Sequence, residues 1–360
     1  MKNKLIEYLF FIFLKTMAFI RFVRNIFYNR REGRKKVTFL IRTDYSRYLV
    51  SLILFFVKNG YNVRIVLNRE FWSILNKYWF DLSYNKYVSI VLWSKKNQSQ
   101  IFSDTIFLNN NRLSLKPNYY YPISEELLSN NYKVPFSLHP MFYFKELDSL
   151  NLEKVITRKF KLVFAGNLSG IYKNIKCFDE VYLSRVVLVE ILMSKFSQYV
   201  HFPKTKNELY STDKPICIID ISNFWLDKKE YISFLSNSDF GLCPVGLRMP
   251  FCHNLIECIY TGTIPVLQYN KLLNPELQHL VECISFDGNE YDFISKINMI
   301  LSGEIHTTDF TNNLFSYYQN NLSPSAVIQQ IENLQNLSDK NLFLLAGEAG
   351  ELSMSLAERE

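Results

Sequence analysis

Short apolar runs alternate with helical stretches through most of the chain. KVTFLIRT, which ends just before Asp44, is a β-branched run bounded by charge, and residues 46–58 show helical spacing. NVRIVLN follows after Asn59–Gly60, so strand, helix and strand succeed one another within about 30 residues, which predicts a βαβ unit and a parallel sheet. Further strands are predicted at 88–93 and 104–109.

The same alternation restarts after residue 158. The predicted strands and helices of this half lie at 161–167, 181–196, 215–220, 231–238 and within 238–270. Two successive halves of this kind predict an α/β fold of two Rossmann-like domains that face a cleft, with ligands at the carboxyl ends of the strands. The expected segments are a leader, an N-terminal domain, a C-terminal domain and a tail, with bounds 1–36, 37–150, 151–338 and 339–360.

The leader has the pattern of an amphipathic helix. Residues 5–28 are mostly apolar, and Lys15 and Arg21 fall with the other polar residues on about one third of the helical wheel. A basic run at 30–36 follows directly. Residues 5–36 are therefore predicted to lie on an anionic membrane surface, where each nearby basic residue adds roughly 1 kcal/mol. The pattern also fits an ordinary amphipathic helix packed on the protein.

The charge of the chain is concentrated in this leader. The 360 residues have a formal net charge of +7, and residues 1–36 alone hold ten Lys or Arg against two Glu. The remainder is therefore close to neutral, whereas a nucleic-acid-binding domain normally carries its excess charge on the folded body. No nucleic-acid partner is expected. The expected location is peripheral, at the cytoplasmic face of the inner membrane.

The cysteines give no pattern of a metal site. None of the six forms CxxC or a Cys/His spacing suited to zinc. Cys243, Cys252 and Cys258 stand among apolar residues, which predicts buried, reduced thiols. Neither a metal nor another cofactor is expected.

Ser238–Asn270 contains the residues with the clearest chemistry. A strand, FGLCP, ends in a loop that holds Gly246 and Arg248, and a helix is predicted to begin near Phe251. Backbone N–H groups at a helix start bind anions, and Arg248 could pair with phosphate oxygens. Glu257, within the helix, could accept hydrogen bonds from ribose hydroxyls. The same residues also fit an ordinary loop and helix cap with a solvated glutamate.

This segment resembles the exostosin-like glycosyltransferases, enzymes of bacterial surface polysaccharide synthesis. That family's pattern is a strand ending in Cys-Pro-x-Gly, then Arg-x-x-Glu-Ala and Gly-x-Ile-Pro-Val, and this chain reads CPVG, NLIEC and GTIPV. Residues 158–170 are similar to the family's first donor-domain strand and phosphate-facing loop, and 314–334 to its closing helices. The similarity covers residues 155–335.

The resemblance implies a GT-B fold, with an acceptor domain followed by a donor domain, and transfer of a sugar from a nucleotide by inversion without a metal. Arg185 occupies the place of a family arginine. Two positions depart from the pattern, because Val245 and Asn254 stand where the family has arginine. Arg248 or Arg185 could supply the missing positive charge.

Signatures of other glycosyltransferases are absent from the sequence. Met249 stands eight residues before Glu257, so the Glu-x7-Glu pattern of retaining enzymes is missing. No Asp-x-Asp occurs, which argues against a manganese-dependent GT-A enzyme. Both absences agree with an inverting, metal-independent enzyme whose donor is a UDP- or GDP-linked sugar.

Further residues complete the predicted site. The backbone of Gly166 and Asn167, at a strand end, could approach the phosphates, although AGNLSG also fits a simple turn. Lys173 is a possible additional cation, and His253 could hydrogen-bond the sugar or its phosphate. Asp44 and His139 are the candidates for the base that deprotonates the acceptor.

Three classes of function remain open at this stage. The first is an inverting glycosyltransferase that acts on a glycan or lipid-linked acceptor. Val245 and Asn254 make a second class plausible, a catalytically inactive GT-B scaffold or binding subunit of a polysaccharide assembly complex. A sugar epimerase is the third, but the Gly-x-Gly-x-x-Gly fingerprint is missing after the first strand.

Overall fold

The computed structural model describes residues 16, 34–41, 43, 45–67, 78, 81–82, 84–92, 104–108, 111–118, 131–147, 158–173, 182–246, 250–334 and 340–345. These residues form two compact units. The first unit contains the described residues up to Pro135 together with 139–145 and 323–345. The second unit contains 136–138 and 146–322.

Within the described residues there are thirteen strands and eight α-helices. The strands are β1 (Lys35–Ile41), β2 (Tyr61–Leu67), β3 (Val88–Leu92), β4 (Thr105–Leu108), β5 (Asn111–Asn118), β6 (Asn131–Lys133), β7 (Phe160–Gly166), β8 (Val200–His201), β9 (Ile216–Asp220), β10 (Ser238–Leu242), β11 (Ile264–Leu267), β12 (Ile284–Ser285) and β13 (Asn341–Leu345). The helices are α1 (Ser46–Lys58), α2 (Pro140–Phe144), α3 (Arg185–Lys195), α4 (Lys228–Ser236), α5 (His253–Thr261), α6 (Glu290–Ser302), α7 (Thr307–Tyr317) and α8 (Pro324–Asn333).

The first unit is built on a seven-stranded sheet with the order β3-β2-β1-β4-β5-β13-β6. β1, β2 and β3 are parallel neighbours, which confirms the predicted βαβ unit. Phe56 of α1 packs edge-on against Phe39 of β1 and Tyr61 of β2, with ring centroids 5.5 and 5.1 Å apart. Gly60, at φ +82°, turns the chain from α1 into β2 in the left-handed region that glycine adopts without strain.

The strand predicted at 104–109 is not parallel to its neighbours. β4 pairs antiparallel with both β1 and β5. Only two residues separate β4 from β5, and a connection this short suits a hairpin rather than a parallel crossover. The first sheet is therefore mixed.

Residues 323–345 belong to the first unit, so the predicted division at residue 338 is wrong for them. β13 lies between β5 and β6 and is parallel to both, although a tail was predicted there. Glu332 of α8 accepts hydrogen bonds from Lys35 Nζ at 2.7 Å and from the Tyr61 hydroxyl. Of the two closing helices predicted for the C-terminal domain, α7 lies in the second unit and α8 in the first.

The end of the predicted leader is also part of the first unit. Lys35 and Lys36 begin β1, and Lys35 pairs with Glu332. The Arg34 guanidinium lies 3.4 Å from the centroid of the Tyr87 ring. The remainder of the predicted membrane helix, apart from Thr16, lies outside the described residues. Among the helices that are described, none is long and apolar enough to span a bilayer.

The second unit is built on a six-stranded parallel sheet with the order β12-β11-β10-β7-β9-β8. This parallel sheet confirms the α/β class predicted for the second half. The chain leaves β7 towards β9 on one side and later returns to β10 on its other side. The strand order therefore reverses between β7 and β10, and in open α/β sheets ligands bind at the carboxyl ends of the strands at this point.

Candidate functional site at the carboxyl edge of the second sheet

The amino end of α5 is open to an anion. Its N-cap residue, Cys252, makes no side-chain hydrogen bond to the helix, and no acidic residue stands in the first turn. By contrast, Asp227 and Glu230 close the start of α4 with a capping box. The α5 N-terminus follows β10 at the reversal of strand order, so its N–H groups and partial positive charge suit a phosphate at that place. Gly262 ends the helix at φ +68°, as the sequence predicted.

Arg185 joins α3 to the loop between β10 and α5. It is the first residue of α3, and its side chain is buried. Nη2 donates to the carbonyl oxygen of Val245 at 3.3 Å and lies 3.7 Å from Cys252 Sγ. The guanidinium carbon is 4.0 Å from the centroid of the Tyr172 ring. This predicted phosphate ligand is therefore held beside the α5 N-terminus.

Gln268 braces the segment that leads into α3. Its Oε1 accepts from the Leu183 N–H at 2.8 Å, and its Nε2 donates to the Leu183 carbonyl at 2.9 Å. Both bonds lie two residues before Arg185. Gln268 comes directly after β11. Its two hydrogen bonds therefore connect the start of α3 to the end of β11, as Arg185 connects it to the loop after β10.

Three buried polar atoms at this edge have no hydrogen-bond partner among the described residues. They are Arg185 Nε, Asn254 Oδ1 and the Tyr269 hydroxyl, in side chains that are 6%, 8% and 2% exposed. All three belong to residues that adjoin or contact the 245–254 segment. Leaving such an atom unsatisfied costs about 1–3 kcal/mol, so a cluster of them indicates a missing ligand. That ligand must offer both acceptors and donors, because the guanidinium only donates and an amide oxygen only accepts.

The loop predicted to bind phosphate uses one of its backbone N–H groups within the loop itself. The N–H of Gly246 donates to the Pro250 carbonyl at 3.0 Å, so this donor is already used. Val245 stands in place of a family arginine, and its carbonyl accepts the bond from Arg185. Arg248 lies outside the described residues.

His253 opens α5 and contacts the segment 136–138 of the same unit. Its Nδ1 donates to the Ser137 carbonyl at 3.1 Å, and its ring lies 4.8 Å from the Phe136 ring. The histidine is thus fixed at the helix start, beside Asn254. A role in binding the sugar remains a prediction.

Glu257 is buried between α5 and α4 instead of standing on a solvated face. Lys228 Nζ lies 3.4 Å from its Oε1, and Tyr231 also hydrogen-bonds the carboxylate. Burial raises the pKa of the Glu257 carboxyl, and Lys228 and Tyr231 oppose this effect only in part. Asn254 precedes Glu257 by three residues on the same helix face. To bind Glu257, a ribose must therefore reach a carboxylate that already has hydrogen-bond partners in the protein.

Glu257→Gln is expected to gain stability relative to the wild type as the pH rises above 4.5, the ordinary pKa of the carboxyl. Because the pKa is raised in the folded protein, the folded state holds this proton more tightly than the unfolded chain. In the wild type, the stability gained from this proton is complete below the pKa of Glu257 in the unfolded chain. It is lost as the pH rises through the pKa of Glu257 in the folded protein. Free energies of unfolding in urea, measured for both proteins at several pH values, test this.

Lys228→Met serves as the control for that experiment. Without this cation the pKa of Glu257 rises further, so the loss of stability should continue to higher pH and be larger in total. A difference between wild type and Glu257→Gln that is flat with pH would contradict the assignment.

The loop after β7 is organised by Asp220 and Asn167. Asp220 Oδ1 accepts from the N–H groups of Leu168 at 3.4 Å and Ser222 at 3.0 Å. Asn167 Oδ1 accepts from the Ser169 N–H at 2.8 Å, which is the predicted turn. A Cβ on Gly166 would lie 2.5 Å from the Phe164 ring, so packing alone requires glycine there.

Lys173 does not join the cluster around Arg185. Its Nζ pairs with Glu190 Oε1 at 3.1 Å, and both side chains are more than half exposed. Its predicted role as a phosphate cation has no support from this geometry. Exposed pairs of this kind contribute little to stability.

Of the two predicted bases, His139 belongs to the first unit, and Asp44 lies outside the described residues. His139 caps α2, where its Nδ1 accepts from the Met141 N–H at 3.3 Å. The neutral ring then carries its proton on Nε2, which lies 2.9 Å from the Tyr78 hydroxyl. In this arrangement His139 must exchange a partner before it can accept a proton.

A buried carboxylate near the end of β1 was not foreseen. Asp104 accepts from the Thr43 N–H at 3.2 Å and from the Tyr45 hydroxyl at 3.0 Å. Tyr45 is fully buried, and its hydroxyl also lies 3.3 Å from the Leu115 carbonyl oxygen. The sequence signal for Asp104 was a charged residue at the start of the strand predicted at 104–109.

The sequence also did not single out four residues of the second unit, namely Lys228, Tyr231, Gln268 and Tyr269. The helix predicted at 231–238 includes Tyr231, and the strand predicted at TIPVLQYN includes Gln268 and Tyr269, but the contacts of these side chains depend on tertiary packing. Among the described residues, no cluster of three or more His, Cys, Asp or Glu side chains is arranged to hold a metal ion. The described cysteines are free. Cys243 and Cys258 are buried as predicted, whereas Cys252, also predicted to be buried, is partly exposed at the N-cap of α5.

No protein-family model matches the chain, and no curated protein matches it. Among solved structures it is similar to a glycosyltransferase from Rickettsia africae, with 10% identity, a TM-score of 0.47 and coverage of 85% of this chain and 98% of the other. It is also similar to UGT89C1 of Arabidopsis thaliana, complexed with quercetin (8% identity, TM-score 0.40, coverage 84% and 100%). The calicheamicin glycosyltransferase CalG4 gives 9% identity, a TM-score of 0.35 and coverage of 86% and 100%. At TM-scores below 0.5, these similarities decide neither fold family nor activity.

Proposed function

We propose that this protein is a glycosyltransferase of the GT-B type that binds the diphosphate of a nucleotide-sugar at the carboxyl edge of its second sheet. The unsatisfied cluster of Arg185 Nε, Asn254 Oδ1 and the Tyr269 hydroxyl carries this proposal. A sugar diphosphate supplies anionic oxygens for the guanidinium and the α5 N-terminus, and hydroxyls for the amide oxygen. The cluster stands where the order of parallel strands reverses, the usual ligand position in such sheets.

In the proposed reaction, an acceptor hydroxyl attacks the anomeric carbon with inversion while the bond to the diphosphate breaks. The electron pair of that bond passes to the phosphate oxygen. Arg185 and the α5 N–H groups stabilise the charge that develops there, which is where preorganised donors lower the barrier. We propose that no metal is required. A base removes the acceptor proton, and Asp44 and His139 are the candidates for it.

The exostosin-like subtype is supported by CPVG, NLIEC and GTIPV and by Arg185 at the family position. The Val245 carbonyl accepts a hydrogen bond from Arg185. The guanidinium is therefore held at this loop although position 245 itself has no arginine side chain. On this basis the donor is a UDP- or GDP-linked sugar and the acceptor a glycan or lipid-linked glycan of a surface polysaccharide.

A catalytically inactive GT-B scaffold is the second candidate. The observation that favours it is Glu257, whose carboxylate is 4% exposed and already paired with Lys228. A scaffold of this kind would keep the fold without turning over a donor.

Thermal unfolding with UDP, GDP, CMP and their sugars distinguishes the two. A ligand at 100 times its Kd stabilises the folded state by about 2.7 kcal/mol. Stabilisation by one nucleotide class, followed by sugar transfer in the presence of EDTA to a product of inverted configuration, is the expected result. Failure of every nucleotide to stabilise the protein would overturn the proposal, and binding without transfer to any acceptor would favour the scaffold.

We further propose peripheral attachment to the cytoplasmic face of the inner membrane through the basic leader. The net charge of residues 1–36 supports this, although Arg34 and Lys35 have partners in the first unit. The test is sedimentation with vesicles containing anionic lipid, for the full chain and for a chain lacking residues 1–30. Equal binding by both would overturn it.

A further inference from the structure

Tyr269 places a neutral donor within the electrostatic reach of Arg185. It stands two residues after β11, its side chain is 2% exposed, and its hydroxyl has no hydrogen-bond partner among the described residues. The ring packs edge-on against Phe251, with centroids 5.8 Å apart, next to the α5 N-cap residue Cys252. Cys252 Sγ in turn lies 3.7 Å from Arg185 Nη2.

The position of this hydroxyl is poorly explained by packing alone. Phenylalanine would fill the same volume and make the same contact with Phe251, without a buried polar atom. An unsatisfied hydroxyl costs stability, so its presence points to a partner that arrives with the ligand. Burial raises the pKa of Tyr269 well above its ordinary range, and Arg185 opposes this only in part, so the phenol stays protonated at neutral pH. It can therefore donate without adding a buried charge.

We propose that the Tyr269 O–H donates a hydrogen bond to the leaving diphosphate and acts with Arg185 as a catalytic residue. This inference rests on the proposed glycosyltransferase function and deepens it. As the bond from the anomeric carbon to the phosphate oxygen breaks, the oxygen keeps the electron pair and the hydrogen bond shortens. Tyr269 keeps its proton, and the acceptor proton goes to the separate base that activates the acceptor hydroxyl.

Tyr269→Phe tests the proposal, and Tyr260→Phe is the matched control. Tyr260 is also buried in the second unit, but its hydroxyl donates to the Leu147 carbonyl at 2.7 Å. Tyr269→Phe is expected to melt at the same temperature as the wild type or higher, because it loses an unsatisfied group. Tyr260→Phe is expected to melt lower, because it leaves a carbonyl without its donor.

The ligand experiments use inorganic diphosphate, the nucleoside diphosphate that stabilises the wild type, and the corresponding nucleoside. For Tyr269→Phe, the Kd of both diphosphates should rise about 10- to 100-fold, the effect of losing a hydrogen bond to a charged group. Nucleoside binding should not change, and kcat should fall about 100-fold. Tyr260→Phe should keep the wild-type values for all of these.

Two results would overturn the inference. One is an unchanged diphosphate Kd and kcat in Tyr269→Phe while the wild type binds diphosphate, which leaves the proposed function intact. The other is a melting temperature lowered as much as that of Tyr260→Phe, which would show that the hydroxyl has a partner in the protein. If the wild type binds no diphosphate, the proposed function fails as well.

Discussion

Arg185→Ala is expected to weaken nucleoside diphosphate binding at least 100-fold and to remove measurable sugar transfer. The guanidinium is buried, contacts the loop before α5, and has Nε unsatisfied among the described residues. Hydrogen bonds from a charged donor to phosphate are worth about 1.5–3 kcal/mol each, and alanine removes all of them. Calorimetric titration with the nucleoside diphosphate that binds the wild type gives the two dissociation constants.

Arg158→Ala is the control for this variant because Arg158, like Arg185, donates hydrogen bonds to backbone carbonyls of the second unit. Arg158 Nη1 donates to the carbonyls of Ser238 at 2.8 Å and Gly262 at 3.1 Å, at the opposite ends of β10 and α5 from the proposed phosphate site. Its loss should lower the melting temperature while the nucleotide dissociation constant stays within about twofold. If Arg185→Ala keeps the wild-type affinity, or if Arg158→Ala loses it equally, the phosphate is not held where we place it.

Truncation of the chain after residue 339 is expected to unfold the first unit. It removes β13, which pairs with β5 on one side and with β6 on the other. Leu342, Leu344 and Leu345 are buried, and each such side chain contributes about 1.5–3 kcal/mol on burial. The total is of the order of the whole stability of a domain. Denaturant unfolding and amide hydrogen exchange of β1, β2 and β5 report the loss.

The matched control is a chain that ends at Leu345 and so keeps all of β13. It should unfold at the same denaturant concentration as the full chain. The sequence prediction of a tail at 339–360 implies the opposite outcome, in which neither truncation changes stability. Equal stability of the two truncated chains would therefore contradict the strand pairing.

Local sequence patterns predicted much of this fold because they reflect interactions between residues that are close together in the chain. The run of helix between two β-branched segments predicted β1, α1 and β2, and Gly262 marked the end of α5 through its left-handed conformation. The parallel second sheet followed from regular alternation of strand and helix. These features depend on neighbours within about 30 residues.

The features that escaped prediction depend on residues far apart in the chain. NLFLL at β13 is a short apolar run, and nothing in its letters indicates that it inserts beside β5, more than 200 residues earlier. The same holds within the site. Arg185 was predicted from a family position, but Tyr269 and Gln268 became visible only when β11, α3 and α5 were brought to one edge.

The predicted chemistry of Glu257 shows the remaining difficulty. A glutamate on a helix is usually solvated, and the sequence could not show that α4 would cover it with Lys228 and Tyr231. Because Glu257 is buried, a test of contact with ribose is not enough. The energetic cost of an ionised carboxylate between two helices must be measured as well.

Because 323–345 returns to the first unit, that unit is discontinuous in sequence and the second unit is largely an internal insertion, 146–322. Cutting the gene once in the middle would give two fragments, each of which lacks part of the first unit. An exchange of the second unit between related proteins would instead replace one internal segment, 146–322, and leave the sequence on both sides of it in place. Recombination at two points, rather than one, is therefore the route by which such chains can exchange the whole second unit while keeping the first.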